Sequence, residues 1–417
     1  MIQRLPIILL FVVIIVVGSS DHRFKKSKIP HLEPIPISSL ASMKEKLRSI
    51  DGWLLSLSEN RKFNGAILVS KNNKPDLIKT YGYEDLNREK PLSNQSSFRL
   101  GSVSKQFTAM VIMILKNQDR LEYDDPVQKY LSSFPYSDVT IRHLLTHTSG
   151  IADYIELALE DYFSFFTNIS FYLNQSMVNL FYTGKPHEFK DHYTVLTSAD
   201  VLSMISKHRD KRYFLSGEKY LYSNTGYVIL SLIVESVAGQ SFESFLDQQI
   251  FIPLKMKNTS FWNLFTKPNK IKNRVQGTNG KRLNDYSWMD GVSGDGSIFS
   301  SIEDFLKWDD ALKNHSLVPE NEFNEALTPF ITSKGDTSYY GFGWGLNKNG
   351  SNISHTGSWL GAVTYINRNL DTDAMFVLLE SSASKYSYEI RKEVQRVLHN
   401  SKSVSYTHLT LPTICSV

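Results

Sequence analysis

The sequence predicts an α+β protein, with one sheet built from strands at both ends of the chain, helices against it, and a helical region inserted between. Three observations predict this. Short apolar β-type runs joined by polar turns occur near the start, over Gly65–Ser70 and Asp76–Tyr81, and again near the end, over Ala362–Ile366 and Ala374–Leu379. The stretch between them is rich in Phe, Tyr and Leu and reads as mostly helical over residues 151–210. Strands at the ends with helices in the middle fit a single sheet that the two ends complete together.

Taken in order, residues 1–20 form a separate unit. Arg4 precedes an unbroken apolar run from Leu5 to Val17, followed by Gly18, Ser19 and Ser20. This is the pattern of an export signal, and the run is short of the ~20 residues that span a bilayer. The expectation is an exported protein, periplasmic or extracellular, with no stable membrane span once the signal is removed and an anchor only if it is kept. Residues 21–39 carry four basic residues and Pro30, Pro34 and Pro36 without an apolar period, which predicts a tether. The folded domain is expected over 40–400. Leu40, Met43, Leu47, Ile50, Leu54 and Leu57 step by three and four, one face of an amphipathic helix. The polar turn Lys71–Lys74 closes the first hairpin. Residues 102–116 are apolar on most sides, which predicts a helix buried within a larger body. A helical subdomain is expected over about 116–290. Tyr386, Ile390, Val394, Val397 and Leu398 predict a closing helix, and residues 401–417 break its period and form a tail whose origin is left open.

Composition removes several function classes. The 46 basic and 42 acidic residues leave a net charge of +4 without a long basic block, so nucleic-acid binding has no compositional support. Cys415 is the only cysteine, which excludes an intrachain disulfide and any Cys-rich zinc site. His143 and His147 have i, i+4 spacing without an HExxH pattern, so a structural reading outweighs a metal site.

The chemistry concentrates in three segments. A lysine three residues after a serine lies one helical turn away on the same face, so its amine reaches the hydroxyl. Burial and a helix N-terminus both favour the neutral amine, which can take the serine proton. The spacing occurs at Ser102–Lys105, Ser216–Lys219 and Ser382–Lys385, and only Ser102 opens a buried apolar helix. Tyr222-Ser223-Asn224 precedes the apolar run Tyr227–Val237. A tyrosine placed beside a lysine is expected to shift toward phenolate and serve as a base, and Asn224 to donate to substrate and to Lys105. In His355-Thr356-Gly357-Ser358 the glycine permits a close backbone approach, which would bring the Ser358 N–H beside that of Ser102 as a two-donor oxyanion hole, with His355 and Thr356 facing substrate. Asp295, between Gly294 and Gly296, reads as a tight turn near the site floor. Tyr339, Tyr340, Phe342 and Trp344 read as a packed loop or as an apolar wall of the cleft.

These segments resemble the serine β-lactamase and penicillin-recognising hydrolase superfamily, in its class C-type branch, over about residues 45–399. The resemblance rests on Phe98-Arg99-Leu100-Gly101-Ser102-Val103-Ser104-Lys105, on Ile141 to Gly150 with its Thr146-His147-Thr148-Ser149-Gly150, on Tyr222-Ser223-Asn224-Thr225-Gly226-Tyr227, on Gly294-Asp295-Gly296 with Ser300-Ser301, and on His355-Thr356-Gly357, five blocks in one order. It implies a β-lactamase/transpeptidase-like fold: an antiparallel sheet flanked by helices beside an all-helical subdomain, with the site between. It implies Ser102 as nucleophile, Lys105 and Tyr222 as the acid/base pair, Asn224 as substrate clamp, and Ser102 and Ser358 as oxyanion donors. No metal or organic cofactor is implied, and the partner is a small-molecule or peptide substrate. The branch often has lysine where His355 stands. Histidine, with an ordinary pKa of ~6.5, points toward peptidase or esterase chemistry and away from an efficient β-lactamase. If protonated His355 holds an anionic substrate, carboxylate binding should weaken as pH rises. The expected function is hydrolysis of an amide or ester through an acyl-enzyme, on a D-Ala-D-Ala-type peptide, a β-lactam or a small ester. A catalytically inactive binding or sensor domain, or a polymerising structural protein, would keep the fold without the reaction. Oligomeric state is not read from the sequence.

Overall fold

The structure, a computed structural model, describes residues 32–38, 40–158, 195–265 and 271–399. Helix α1, Met43–Glu59, starts at Ser42, whose hydroxyl accepts from the Glu45 N–H while the Glu45 carboxylate accepts from the Ser42 N–H. Strands β1, Gly65–Lys71, and β2, Lys74–Tyr81, form the first expected hairpin. The last strands are β10, Gly345–Leu346, β11, Asn352–Trp359, β12, Ala362–Asn369, and β13, Ala374–Glu380. The six strands make one antiparallel sheet in the order β10-β11-β12-β13-β1-β2. The seam between the chain ends is β1 against β13, in register from Gly65 opposite Glu380 to Lys71 opposite Ala374.

Side-chain alternation gives this sheet two buried faces. Ile67, Val69, Leu77, Tyr365, Phe376 and Leu378 pack under α1 and the closing helix, Ser387–His399, through Leu47, Ile50, Leu54, Leu57, Ile390, Val394 and Val397. Leu40 and Met43, expected on the same helix face, are exposed. The opposite face, with Ala66, Leu68, Ile366, Val377 and Leu379, joins the main core. Residues 32–38 depart from the expected tether. Leu32 and Ile35 are buried against α1 and the closing helix. The Ile35 N–H donates to Glu393, Arg396 donates to the Ile35 carbonyl, and the Trp53 indole donates to the Glu33 carbonyl. Ordered packing therefore starts ahead of Leu40, because two apolar residues in a polar stretch find a groove built by distant helices.

Strand β3, Ser97–Arg99, pairs with β7, Ile298–Ser301, and delivers the chain to a 3₁₀ turn, Gly101–Ser104, and to helix α2, Lys105–Asn117. Helix α2 is buried almost throughout, as its apolar sides predict. Helices α3, Ile141–Leu145, α4, Ser198–Lys207, α5, Asn224–Ala238, and α6, Phe242–Leu246, fall in the expected helical subdomain, and α5 packs on α2, α3, α4 and α6. That subdomain ends earlier than the expected boundary near 290. Ser260–Phe261 forms β4, paired with β7; Thr278–Asn279 and Arg282–Leu283 make a small hairpin, β5 and β6, and Phe330–Ile331 and Thr337–Ser338 make another, β8 and β9. Much of residues 151–210 lies outside the described residues. Among those described, no single helix is long and apolar enough to cross a membrane.

Candidate active site

Ser102 lies in the 3₁₀ turn and Lys105 is the first residue of α2, so the i, i+3 spacing turns the amine back toward the hydroxyl. Lys105 Nζ is 3.2 Å from Ser102 Oγ. It donates to Asn224 Oδ1 at 2.8 Å and to the Asp295 carbonyl at 2.9 Å. Asn224, first residue of α5, thus accepts from Lys105, the reverse of the donation expected from the sequence. Its amide nitrogen donates to Asp153 Oδ2 at 3.1 Å, and its backbone N–H donates to the same oxygen at 2.7 Å. Asp153 therefore sets which way the Asn224 amide points.

Tyr222 arrives on the loop before α5. The Lys105 ammonium position lies 5.0 Å from its ring centre. The Tyr222 hydroxyl is buried and completes no hydrogen bond of regular geometry. Burial pushes its phenol well above the ordinary value, the Ser102 hydroxyl pulls it back, and Tyr220, Tyr227 and Asp295 push it further up. The expected phenolate is corrected: the resting Tyr222 is a neutral phenol, because desolvation of the anion outweighs the pull of the Ser102 hydroxyl. His147 packs against it, with ring centres 4.1 Å apart. The His147 Nδ1 accepts the Ser223 N–H, so this histidine braces the Tyr222 loop and does not pair with His143, which bonds Thr140.

Two glycines are required by space here, the expected Gly357 and also Gly101, which sequence reasoning had not assigned this part. Gly101 has φ +54°, and a Cβ there would sit 2.9 Å from the Ser358 nitrogen. A Cβ on Gly357 would sit 2.0 Å from the Leu100 carbonyl oxygen and 3.1 Å from the Ser102 nitrogen. The backbones that carry the Ser102 and Ser358 N–H groups are thus in direct contact. The Thr364 hydroxyl, from β12 beside Gly357, donates to the Leu100 carbonyl at 2.6 Å and locks the approach.

His355 and Thr356 do not face substrate as expected. Thr356 pairs with Tyr365, whose ring packs on the α1 side of the sheet, so the Thr356 side chain lies on the face away from Ser102. His355 is on the Ser102 side but buried. Its Nδ1 donates to its neighbour's carbonyl at 2.6 Å, which leaves Nε2 to accept from the Tyr340 hydroxyl at 2.8 Å. Burial, reinforced by Lys105, lowers its pKa to about 3. It is neutral throughout the working range and does not act as a titrating carboxylate anchor. The expected result is that the kcat/KM ratio between a carboxylate-bearing ester and its uncharged analogue stays level from about pH 5.5 to about pH 8. A ratio that falls across that range would reinstate the charged role. The same depression makes folding stability drop as pH falls below about 6.5, since the unfolded chain takes up that proton first.

Sequence reasoning missed Asp153, Tyr154 and the part played by Asp295. Asp153 is buried, and burial raises its pKa. Asp295 is raised to about 6 by burial, against the pull of Lys105 and of Tyr154, whose hydroxyl donates to it at 3.0 Å. An aspartate inside the apolar run Ile151-Ala152-Asp153-Tyr154 was the available signal, since a buried carboxylate needs partners. Tyr340, Phe342 and Trp344 are buried, as a packed loop has them, and Tyr340 meets His355 and the Tyr222 ring.

The Beta-lactamase family model matches residues 50–399. A penicillin-binding protein of Bacillus subtilis is 30% identical over 361 residues, covering 82% of this chain and 74% of its own length. The octameric penicillin-binding protein homologue of Pyrococcus abyssi superimposes with a TM-score of 0.65 at 24% identity, over 83% of this chain and 77% of that one. The D-amino acid amidase of Ochrobactrum anthropi does so with a TM-score of 0.63 at 21% identity, over 85% and 98% of the two chains. At these identities the two solved structures speak for the fold.

Proposed function

The chain belongs to the beta-lactamase family, and from that premise we propose that it is an exported serine hydrolase that works through an acyl-enzyme on Ser102. The observation that carries the reading is Lys105 Nζ, 3.2 Å from Ser102 Oγ and held there by Asn224 Oδ1 and the Asp295 carbonyl. As a neutral amine Lys105 would give N–H groups to those two acceptors and turn its lone pair to Ser102. With Tyr222 a neutral phenol, this pairing carries the same net charge as ammonium and phenolate, without two separated charges in a buried site.

The reaction then balances as follows. Ser102 Oγ bonds to the substrate carbonyl carbon while its proton passes to Lys105. The carbonyl oxygen becomes an oxyanion held by the Ser102 and Ser358 N–H groups. The leaving group departs with the Tyr222 hydroxyl proton, and Lys105 returns a proton to Tyr222. Water then takes the leaving group's place, and the same groups pass its protons in reverse order to free Ser102. Asn224 holds Lys105 in place and has its remaining amide hydrogen for the substrate.

The class C-type branch is the part of the family that the five blocks resemble. Within it, the neutral His355 gives a substrate carboxylate no cation, which favours small esters and amides over β-lactams. D-Ala-D-Ala-type peptides remain in the panel because the B. subtilis relative is named for penicillin binding. The leader over residues 1–20 supports export. The test is intact-mass detection of an adduct on Ser102 with a penicillin, a D-Ala-D-Ala peptide and a p-nitrophenyl ester. Turnover of the ester with a transient acyl adduct is expected. Protein left unmodified by all three and by a fluorophosphonate would instead indicate a binding domain that keeps the fold.

A further inference from the structure

The two oxyanion donors come from segments far apart in the chain, and a buried carboxylate outside the catalytic group touches both. Arg99 ends β3, three positions ahead of Ser102, and Trp359 ends β11, directly after Ser358. Arg99 Nη1 lies 3.0 Å from Asp290 Oδ1. The Trp359 indole N–H donates to the same oxygen at 2.7 Å. The other oxygen, Oδ2, accepts from the Ser287 N–H at 2.8 Å, and the Asp290 carbonyl accepts from the Leu264 N–H at 3.0 Å. Asp290 is therefore fixed by its own backbone and loop. Arg99 is fixed as well. Its Nη2 donates to the Asp285 carbonyl at 2.8 Å, and its guanidinium lies 4.9 Å from the Trp262 ring centre and 5.0 Å from that of Phe299. Both side chains of the Arg99–Asp290 pair are about 5% exposed or less.

We propose that Asp290 is a positioning residue that ties the strand leading to Ser102 to the strand carrying Ser358, and so sets the spacing of the oxyanion hole. The direct backbone contact between Gly101 and Ser358 sets how near the strands can come, and Asp290 sets their alignment along one another. A shift of a donor by a fraction of an ångström matters most where charge develops, in the tetrahedral state, and little in ground-state binding. The inference rests on the hydrolase reading above.

Trp359→Phe removes the indole donor and leaves the Arg99–Asp290 pair in place, so it tests the tie without stranding a buried charge. With a p-nitrophenyl ester, kcat should fall about tenfold with KM within about twofold of wild type. Affinity for a phenylboronic acid, whose boron becomes tetrahedral on Ser102 Oγ, should fall by the same factor as kcat/KM. Asp290→Asn should show the same pattern. Added to Trp359→Phe it should cost less than it does alone, because both changes cut one tie. Melting temperature reports whether each variant is folded. Should Asp290→Asn not fold, Trp359→Phe alone decides. Wild-type kcat and boronate affinity in Trp359→Phe, or a loss confined to KM, would overturn the proposal while leaving the hydrolase intact. Failure of the wild-type protein itself to take a fluorophosphonate on Ser102 would overturn the hydrolase reading instead.

Discussion

Ser102→Ala should lose ester hydrolysis by a factor on the order of 10⁴ or more and take up no fluorophosphonate. The size follows from what the change removes. Among the described residues, the serines of the two further Ser-x-x-Lys pairs are committed elsewhere, Ser216 to Asp138 and Ser382 to Glu380. The proposed oxyanion donors are backbone groups and stay, so the residual rate would report water attack on a bound, polarised carbonyl. Folding should be little affected, because Lys105 keeps its bonds to Asn224 and Asp295. Stopped-flow hydrolysis and intact mass are the readouts. Activity within tenfold of wild type, or a label at another residue, would remove Ser102 from its role.

Lys105→Met should cost about 10³-fold in kcat/KM, in the range of a lost general base. Methionine matches the buried length of lysine, so the core around α2 stays filled. The change leaves Asn224 Oδ1 and the Asp295 carbonyl without that donor, which should lower stability by roughly 1–3 kcal/mol. Lys105→Arg separates two explanations. Arginine restores a cation but does not give up its proton in a protein. If Lys105 acts by taking the Ser102 proton, arginine should be nearly as inactive as methionine. If arginine recovers activity to within tenfold of wild type, charge alone suffices and the proton-acceptor role is wrong.

The parts of the fold that were legible in advance are those written in local patterns. The two hairpins follow from short apolar runs joined by polar turns, the buried helix after Ser102 from being apolar on most sides, and the closing helix from a period near 3.6, each within one segment. Leu32 and Ile35 were not legible as core, because in their own neighbourhood they are isolated apolar residues among prolines and charges. Only the groove between α1 and the closing helix makes them buried. The strand at Ser260–Phe261 was hidden for a similar reason, being two residues long and defined by its partner β7.

The candidate site divides the same way. Amino-acid order alone pointed to the candidate reactive groups: the serine and lysine one turn apart, the tyrosine ahead of α5 with the asparagine that opens it, and the glycine at 357 that lets two backbones touch. Those depend on short spacings and on which side chains carry a hydroxyl, an amine or no Cβ. The assembled fold decided the protonation of Tyr222, the neutrality of His355, the side of the sheet on which Thr356 falls, and the bracing by Asp153 and Asp290. Proton affinity depends on how much water is excluded and which charges come near. Both are set by segments that meet only when the chain has folded.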